Sequence, residues 1–480
     1  MRALSPLDEM FLVLERRNQP MHVAALYVVE PGEGDGRAFA RALHAHLSQF
    51  KQPESPFDER WVLTPLGYCW VHDDDFDLEN HLHLSALPSP GGQAELDHWV
   101  AGQHETPLHT DRPPWEVHIV EGLADGRVAV FAKAHHALLD GVSGLKATLA
   151  MCSEQPDAPS QRPIWAQSRV PSRRGEGTSR TALGRVTRDL WQSAKDELAA
   201  LPTLAREAGR IVGDVTRHLR KSVTEPASHP FAGPISSARR VGTLSLPLAR
   251  VRATSKRLHA TLNDVVLAVC SSALREHFLS RQVSCDPPLV AMVPVSLRHG
   301  ETGHGNRVST LLVDLAIAEP DLEMRLERLW ASVRSGKRRF SRMSDDAIVA
   351  VTAMTLTPTF FGLALRARRN LAQYNVVISN VPGPKAPLFL AGAPLRHIFP
   401  VSIVADHLGL NITFTSCGDS LDIGIVACQR ALPDMPAFIA QLSKAFAELE
   451  KFAEECSGSL VGSQLDAQPT STGGADGKER

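Results

Sequence analysis

The chain has 480 residues, of which 43% are hydrophobic and 22% charged, and its formal net charge is −2. This length corresponds to two or three domains, and the hydrophobic fraction is that of a folded protein rather than a disordered chain. The near-neutral charge argues against a nucleic-acid-binding protein, which normally has a basic balance. The seven cysteines include no CxxC pair, which predicts reduced thiols in a cytoplasmic protein.

The first part of the chain, to about residue 154, alternates helix and strand signals. Ser5 and Pro6, followed by the acidic Asp8, form a typical helix start. Runs rich in β-branched and aromatic residues, bounded by turn residues, predict strands. Beyond the first helix, this part contains predicted strands at 21–30, 115–121 and 127–135, and predicted helices at 38–47 and after Asp140.

A less regular segment follows at residues 155–237. It begins with a Pro-, Ser- and Arg-rich stretch typical of an exposed linker, and a helical run covers residues 182–222. Between residues 172 and 223 basic residues outnumber acidic ones 11 to 6, and arginines recur at helical spacing beside apolar residues. Such a basic amphipathic stretch either lies on an anionic lipid surface or packs as a solvated helix on its own protein.

A second folded unit is predicted at residues 238–456. Residues 261–278 have the pattern of an amphipathic helix, and strands are predicted at 288–298, 308–317, 374–381 and within 401–427. Strands mixed with helices in both halves predict an α/β (α+β) fold of two lobes that face one another. The Gly-, Ser- and Thr-rich tail, residues 457–480, is predicted to be disordered.

One apolar segment has nearly the length of a membrane span. Residues 347–365 contain no charged side chain. Four threonines and Pro358 interrupt this segment, and charged residues close it on both sides. Because a proline near the middle breaks a helix, we expect buried or interfacial helices there rather than a membrane span.

Several catalytic motifs are missing from the sequence. Residues 141–144, GVSG, are one residue short of the GxSxG nucleophile elbow, and there is no P-loop. Residues 303–308, GHGNRV, lack the third glycine of a dinucleotide-binding loop. His104, Glu105 and His109 do not have the HExxH spacing of a zinc site, and no metal site is predicted.

The most informative segment is HHALLDG, residues 135–141, between a predicted strand and a predicted helix. Because adjacent strand residues point to opposite faces, one of His135 and His136 should face a cleft while the other faces the core. A histidine at a strand end titrates near neutral pH and is suited to take a proton from a hydroxyl group. Asp140 can start the next helix and fix the loop, and Gly141 allows the backbone to pass closely.

HHALLDG resembles the active-site motif of the CoA-dependent acyltransferase superfamily, which includes chloramphenicol acetyltransferase. Further segments resemble the bacterial wax ester synthase/acyl-CoA:diacylglycerol acyltransferase family in particular. They are SPLDEMFLVLE, QPMHV, PLHTDRPPWEVHIVEGL, TLNDVVLAV, VPVSLR, NVVISNVPGP and LGLNITFTS. The resemblance covers about residues 1–155 and 230–455. It implies two chloramphenicol-acetyltransferase-like lobes that form a central substrate channel.

The resemblance also implies roles for the motif residues. His136 would be the general base that takes the hydroxyl proton of a long-chain alcohol or diacylglycerol as the oxygen attacks an acyl-CoA thioester, without a covalent acyl-enzyme. His135 would support the loop or take a direct part in catalysis. Asp140 would pair with an arginine away from the base, and Arg298, at the end of VPVSLR, is the candidate partner. Cys152, about three helical turns beyond Asp140, is not expected to act as a nucleophile.

Asn263 and Asp264 stand at the start of the predicted helix of the second unit. Asn263 either donates a hydrogen bond to the developing oxyanion or caps the helix, and Asp264 beside it is a further substrate-binding candidate. The resemblance implies acyl-CoA, a long-chain alcohol and diacylglycerol as substrates, with no cofactor and no nucleic-acid partner. We expect a cytoplasmic protein that associates peripherally with the inner face of the membrane or with lipid inclusions. The sequence does not predict its oligomeric state.

Two other functions share features with this sequence. A peptide-synthetase condensation domain also carries HHxxxDG but acts on carrier-bound acyl groups, and we see no fused carrier-protein segment. A lipid-body coat or scaffold protein that kept the fold is the non-enzymatic alternative, against which the intact motif argues. Between the two acceptors, the segments PIWAQ and GIVACQRALP resemble wax ester synthases of marine bacteria and favour a fatty alcohol over diacylglycerol.

Overall fold

The computed structural model describes residues 1–32, 35–65, 67–139, 141–158, 162–167, 230–286, 288–296, 308–340 and 374–465. The α-helices of this part are α1 (Pro6–Leu14), α2 (Gly36–Leu47), α3 (Gln93–Glu105), α4 (Gly141–Leu149), α5 (Leu248–Arg257), α6 (Leu262–Ser280), α7 (Leu322–Phe340) and α8 (Met435–Leu465). Short 3-10 helices lie at Leu78–Asn80, Ile164–Ala166 and Pro230–Ala232.

The strands of the described residues fall into three sheets. They are β1 (Arg2–Ala3), β2 (His22–Val29), β3 (Glu59–Thr64), β4 (Gly67–His72), β5 (Leu82–Ala86), β6 (Trp115–Glu121), β7 (Val128–His135), β8 (Arg239–Pro247), β9 (Val290–Ser296), β10 (Val308–Asp314), β11 (Val376–Val381), β12 (Phe389–Leu390), β13 (Ala393–Val401), β14 (Leu410–Cys417) and β15 (Ser420–Cys428). The predicted strands of both halves are present, with ends that differ by a few residues.

Two six-stranded sheets form the centres of the two lobes. The first has the strand order β12-β13-β2-β7-β6-β5, and the second has the order β10-β9-β11-β14-β15-β8. A smaller sheet, β1-β4-β3, joins the first lobe. Helices α5, α6 and α8 pack together beside the second sheet. The predicted α/β fold of two sheet-rich lobes is confirmed.

The first helix shows how local sequence sets an element. The side-chain oxygen of Ser5 accepts a hydrogen bond from the Asp8 N–H over 3.2 Å, and Pro6 occupies the first turn. The predicted helix start is therefore confirmed. The buried side of the helix faces the boundary between the lobes, which becomes important for the site.

Strand β13 crosses between the lobes. It follows the second-sheet strand β11 and the short strand β12 in the chain, and it pairs antiparallel with β2 of the first sheet, from Leu395 opposite Val29 to Val401 opposite Ala24. The chain then returns to the second sheet as β14. The predicted unit 238–456 is thus not contiguous in space, because residues 389–401 belong to the first sheet.

The expectation of an exposed linker is wrong at its beginning. Ile164, Trp165 and Ala166 are buried, and the Trp165 ring stacks on Trp115 of β6 with ring centroids 5.2 Å apart. The indole N–H of Trp165 donates to the carbonyl O of Phe50 over 3.0 Å. Burial of a large aromatic side chain removes much apolar area from water and stabilises the fold. A Trp in a Pro- and Ser-rich segment can therefore be buried although its neighbours in the chain are polar.

Two further expectations concern the C-terminal tail and the apolar segment 347–365. Residues 457–465 continue α8, so the disorder predicted from residue 457 is wrong there. Each residue added to the end of an existing helix forms one further backbone hydrogen bond. The amino-acid composition of the tail does not show that a helix precedes it. Across the described ranges, no helix is both long and apolar enough to cross a membrane. Segments 347–365 and 182–222 lie outside these ranges.

Candidate active site

The two histidines of the motif stand at the end of β7, in the interior of the first sheet. Strand β7 pairs antiparallel with β2, and His135 lies opposite His22. The His135 side chain is completely buried, whereas His136 is partly exposed. The predicted burial of one of the two histidines in the core is therefore confirmed, and the cleft beside the other stays a prediction.

His136 is held by two residues from the beginning of the chain. Its backbone N–H donates to the carbonyl O of Met21 over 2.8 Å. Its imidazole stacks on the Phe11 ring, with ring centroids 4.1 Å apart and an interplanar angle of 21°. The two contacts fix the backbone and the ring plane of His136. A partly exposed imidazole in a fixed orientation is suited to proton transfer with a bound hydroxyl group.

Glu15, directly after α1, links the two histidines. Its Oε1 accepts a hydrogen bond from the Met21 N–H over 3.2 Å, and its Oε2 lies 3.6 Å from Nε2 of His135. Nδ1 of His135 accepts from the Ala137 N–H over 3.1 Å, which assigns the proton to Nε2. These contacts favour the loop-supporting role of His135. Glu15 was not among the residues predicted for the site, although a carboxylate that ends an apolar helix was a readable signal.

The stack of His136 on Phe11 lies at the boundary of the lobes. An interlobe cluster of buried apolar side chains forms there, and Phe11 packs against it. The cluster consists of Met10, Leu14, Met21, Tyr374, Ala405 and Leu408. Partly buried side chains of the second sheet, Met292 and Val377 among them, pack against the same cluster. The candidate base therefore lies beside the boundary between the two lobes.

Two buried histidines near the motif, His22 and His104, are poor candidates for the base. Nε2 of His22 is 2.8 Å from the carbonyl O of His104, and Nε2 of His104 is 3.0 Å from that of Ser402. Burial lowers the pKa of His22 well below its usual value. Burial, together with the charges of Arg239 and Lys133, lowers the pKa of His104 to about 3. Both rings are neutral at pH 7 and too weakly basic for proton abstraction.

A buried ion pair anchors the strand that carries the motif. The fully buried Lys133 amino group donates to Glu116 over 2.9 Å, and to the carbonyl oxygens of Gln103 and Thr106 over 3.1 and 3.2 Å. Burial lowers the pKa of Lys133 against the attraction of Glu116. Burial opposes the charge of Glu116 too, but His118 and Lys133 outweigh it and lower the pKa of Glu116 to about 2. The pair thereby fixes the end of α3 against β6 and β7.

The polar residues at the start of α6 make different hydrogen bonds. Thr261 is the N-cap, and the Asp264 carboxylate accepts hydrogen bonds from the N–H and hydroxyl of Thr261 over 2.9 and 2.6 Å. The expectation that Asn263 caps the helix is therefore wrong, because Thr261 carries the hydroxyl at the required position. Oδ1 of Asn263 instead accepts from Nδ2 of Asn380, at the end of β11, over 2.5 Å. The oxyanion role of Asn263 stays a prediction.

The other predicted residues have different outcomes. Asp140 and Arg298 lie outside the described residues, so their pairing also stays a prediction. Gly141 begins α4, and a Cβ built there meets no described atom within 4 Å. Within the described part of the chain, the close backbone passage predicted at Gly141 is not present. Burial raises the pKa of the Cys152 thiol to about 12, which disfavours the thiolate a nucleophile needs. Within the described residues, no cluster of His, Cys, Asp or Glu has the geometry of a metal site.

The two lobes match solved structures of one class of fold. The first condensation domain of the calcium-dependent antibiotic synthetase superposes with a TM-score of 0.56, at 15% sequence identity, over 95% of this chain and 96% of that one. At this identity the likeness concerns the fold alone. A wax ester synthase/diacylglycerol acyltransferase from Marinobacter aquaeolei superposes with a TM-score of 0.78, at 33% identity, over 95% of this chain and all of that one.

Sequence comparison identifies the family. The model of the wax ester synthase/diacylglycerol acyltransferase catalytic domain matches residues 4–266, and that of the WS/DGAT C-terminal domain matches residues 304–450. The O-acyltransferase WSD of Acinetobacter baylyi is 36% identical over 92% of this chain and 96% of its own length. A putative diacylglycerol O-acyltransferase of Mycobacterium tuberculosis is 37% identical over 93% of this chain and 99% of its own. The chain belongs to the wax ester synthase/diacylglycerol acyltransferase family and is an O-acyltransferase.

Proposed function

We propose that the protein transfers a long-chain acyl group from acyl-CoA to the hydroxyl of a long-chain alcohol or a diacylglycerol, with His136 as the general base. The observation that carries this proposal is the partly exposed His136 at the lobe boundary, whose backbone N–H is bound by Met21 and whose ring stacks on Phe11. The Marinobacter relative is named for both acyl transfers.

The reaction needs one base and no covalent intermediate. The His136 imidazole takes the hydroxyl proton while the oxygen attacks the thioester carbonyl carbon and a C–O bond forms. The tetrahedral intermediate then collapses with cleavage of the C–S bond, and the departing thiolate takes the proton from the imidazolium. The products are the ester and free CoA, and His136 is neutral again. General-base catalysis contributes about 10²–10⁴-fold, and holding both substrates in position supplies much of the rest.

Asn263 is the proposed donor to the oxyanion of the tetrahedral intermediate. Because its Oδ1 accepts from Asn380, its Nδ2 is the group available to a substrate oxygen. A hydrogen-bond donor aimed at the developing negative charge lowers the activation barrier by about 3 kcal/mol. Asn263→Asp replaces this donor by an acceptor of nearly the same volume, and we expect it to lower kcat about 100-fold while leaving the fold intact.

The acceptor is tested directly by product analysis. Identity to the Acinetobacter and mycobacterial relatives is nearly equal, at 36% and 37%, and so it does not rank the acceptors. Thiol release from palmitoyl-CoA is measured with hexadecanol, with diacylglycerol and with neither, alongside His136→Ala. We expect acceptor-dependent release, ester formation and loss of both in the variant, with hexadecanol the better acceptor. Release without acceptor, or an unaffected variant, contradicts the proposal; a lipid-body coat protein tolerates His136→Ala.

We further propose that the protein works at a lipid surface, since both acceptors are poorly soluble in water. The basic amphipathic sequence 182–222 is the proposed contact, because its arginines recur beside apolar residues. Deletion of residues 182–222 should abolish co-sedimentation with anionic vesicles while thiol release with a short, soluble alcohol continues. Unchanged co-sedimentation of the deletion variant contradicts the assignment of this segment.

A further inference from the structure

We propose that Phe11 is a positioning residue that stabilises the protonated form of His136 during acyl transfer; this inference rests on the proposed role of His136 as the general base. The two rings stack face to face, with centroids 4.1 Å apart and planes inclined by 21°. The face of a phenyl ring carries the negative part of its quadrupole. A cation within about 6 Å of that face is attracted to it, so an imidazolium in this position is stabilised.

The attraction distinguishes the two states of the base. His136 is neutral before the reaction and becomes an imidazolium as it takes the hydroxyl proton. The ring quadrupole of Phe11 acts strongly on the charged form and only weakly on the neutral one. An interaction that strengthens towards the transition state raises kcat, whereas equal binding of both states does not. Phe11 therefore increases the basicity of His136 in addition to fixing its ring plane.

The position of the Phe11 ring is itself set by both lobes. Phe11 lies on α1, one helical turn before Glu15, whose N–H donates to the Phe11 carbonyl over 3.0 Å. On the other side Phe11 packs against the interlobe cluster, to which the second lobe contributes Tyr374 and Leu408. The ring that faces the base is thus held by packing that exists only when the lobes are joined.

Other titratable and charged groups lie on the elements around the motif. They are His135 on β7, Glu15 after α1 at 3.6 Å from His135, the neutral His22 on β2, the ion pair of Arg16 with Asp406 at 2.8 Å, and Asp140 in the motif itself. None of these groups is altered by a substitution at Phe11. A comparison of Phe11 variants with one another therefore isolates the contribution of the aromatic ring.

The test compares the pKa of His136 in three variants. Phe11→Leu keeps an apolar side chain but removes the aromatic face, and Phe11→Tyr keeps both. Met10→Leu is the matched control, because Met10 is buried in the same cluster on the same helix. The imidazole pKa of His136 is measured by NMR titration, with the signal assigned through His136→Gln. The acid limb of the pH profile of kcat/KM is measured in parallel.

We expect Phe11→Leu to lower the imidazole pKa and the acid limb by about half to one pH unit, and kcat several-fold. Phe11→Tyr should keep the imidazole pKa and the acid limb of the unaltered protein, and Met10→Leu should behave as the unaltered protein does. Reduced activity of Phe11→Leu with both titrations unchanged would reduce Phe11 to a packing residue and overturn the proposal. If Phe11→Leu does not fold, pentafluorophenylalanine at position 11, which keeps the shape and reverses the quadrupole, must lower the pKa in the same direction. If Phe11→Leu lowers the imidazole pKa of His136 but the unaltered protein has no acyl-transfer activity, the result contradicts the proposed function and not the effect of Phe11 on His136.

Discussion

The carboxylate of Asp422, in the second sheet, accepts a hydrogen bond from the backbone N–H of Ile398, in the first sheet, over 2.8 Å. The other carboxylate oxygen accepts from Ser245, Ser420 and Nδ1 of His397 over 2.6, 2.8 and 3.0 Å. Asp422 is completely buried. One carboxylate thus ties the crossing strand β13 to the sheet it leaves, at the point where its pairing with β2 is interrupted by a register shift.

We expect Asp422→Asn to destabilise the fold by about 2–3 kcal/mol. The amide replaces one carboxylate oxygen by an NH₂ group, so the donors that bound this oxygen lose their acceptor. Urea unfolding of the variant measures the loss. Asp419→Asn, on the same hairpin but with an exposed side chain, is the control and should change the free energy of unfolding by less than about 0.5 kcal/mol. Equal stability of both variants would mean that the lobes are held together without Asp422.

Glu15 should control activity through the two histidines. Glu15→Ala removes the acceptor of the Met21 N–H and the carboxylate next to His135, so the loop that carries His136 loses a support. We expect kcat to fall about 10–100-fold, as a displacement of about 1 Å does in other active sites. Glu15→Gln keeps an acceptor for Met21 and should lose less. Identical kcat values for Glu15→Ala and the unaltered protein would show that Glu15 does not support the active site.

The buried His104 should make the protein sensitive to mild acid. Its pKa is about 3 in the fold, against an ordinary value of 6.5, so the unfolded chain binds the proton first as the pH falls. The free energy of unfolding therefore decreases as the pH falls from 6.5 towards 3, by at most about 1.4 kcal/mol per pH unit from this residue. Urea unfolding between pH 7 and pH 5 measures the slope.

His104→Gln should flatten that slope, and the exposed His98→Gln on the same helix should not. A slope that is the same in both variants would show that His104 is not responsible for the acid sensitivity.

Gly383, in the SNVPGP segment, allows a close approach of two chain segments. A Cβ built on Gly383 would lie 1.7 Å from the carbonyl O of Ser416, and the backbone would have to move. We expect Gly383→Ala to destabilise the protein by about 1–3 kcal/mol and to reduce activity, since the neighbouring Asn380 holds Asn263. Gly102→Ala, where a Cβ meets nothing within 4 Å, is the control. Thermal unfolding and thiol release follow both variants.

Local patterns predicted the local parts of this fold. The alternation of residues 127–135 predicted β7, and the Ser5 cap predicted α1, because both depend on residues close in the chain. The same logic predicted that one of His135 and His136 lies in the core, whereas the choice of His136 as the base came from the family resemblance. The capping box of Thr261 and Asp264 was equally local and readable, and it would have excluded Asn263 as the cap.

Contacts between distant residues were beyond such patterns. The pairing of β13 with β2 depends on which strand edge is free in the folded chain, and nothing in residues 393–401 alone specifies that partner. The stack of Phe11 on His136 depends in the same way on where α1 lies relative to the motif loop. The burial of Trp165 depends on the space beside Trp115, which the composition of its segment does not report.

The proposed function depends on His136 as the base of an acyl transfer. The most direct test is the rate of acceptor-dependent thiol release from palmitoyl-CoA by His136→Gln, with its thermal unfolding midpoint recorded beside that of the unaltered protein. We predict a fall of at least about 100-fold at an unchanged midpoint, because His136 is partly exposed and its loss removes proton transfer rather than core packing. A rate within tenfold of the unaltered protein would show that His136 is not the base.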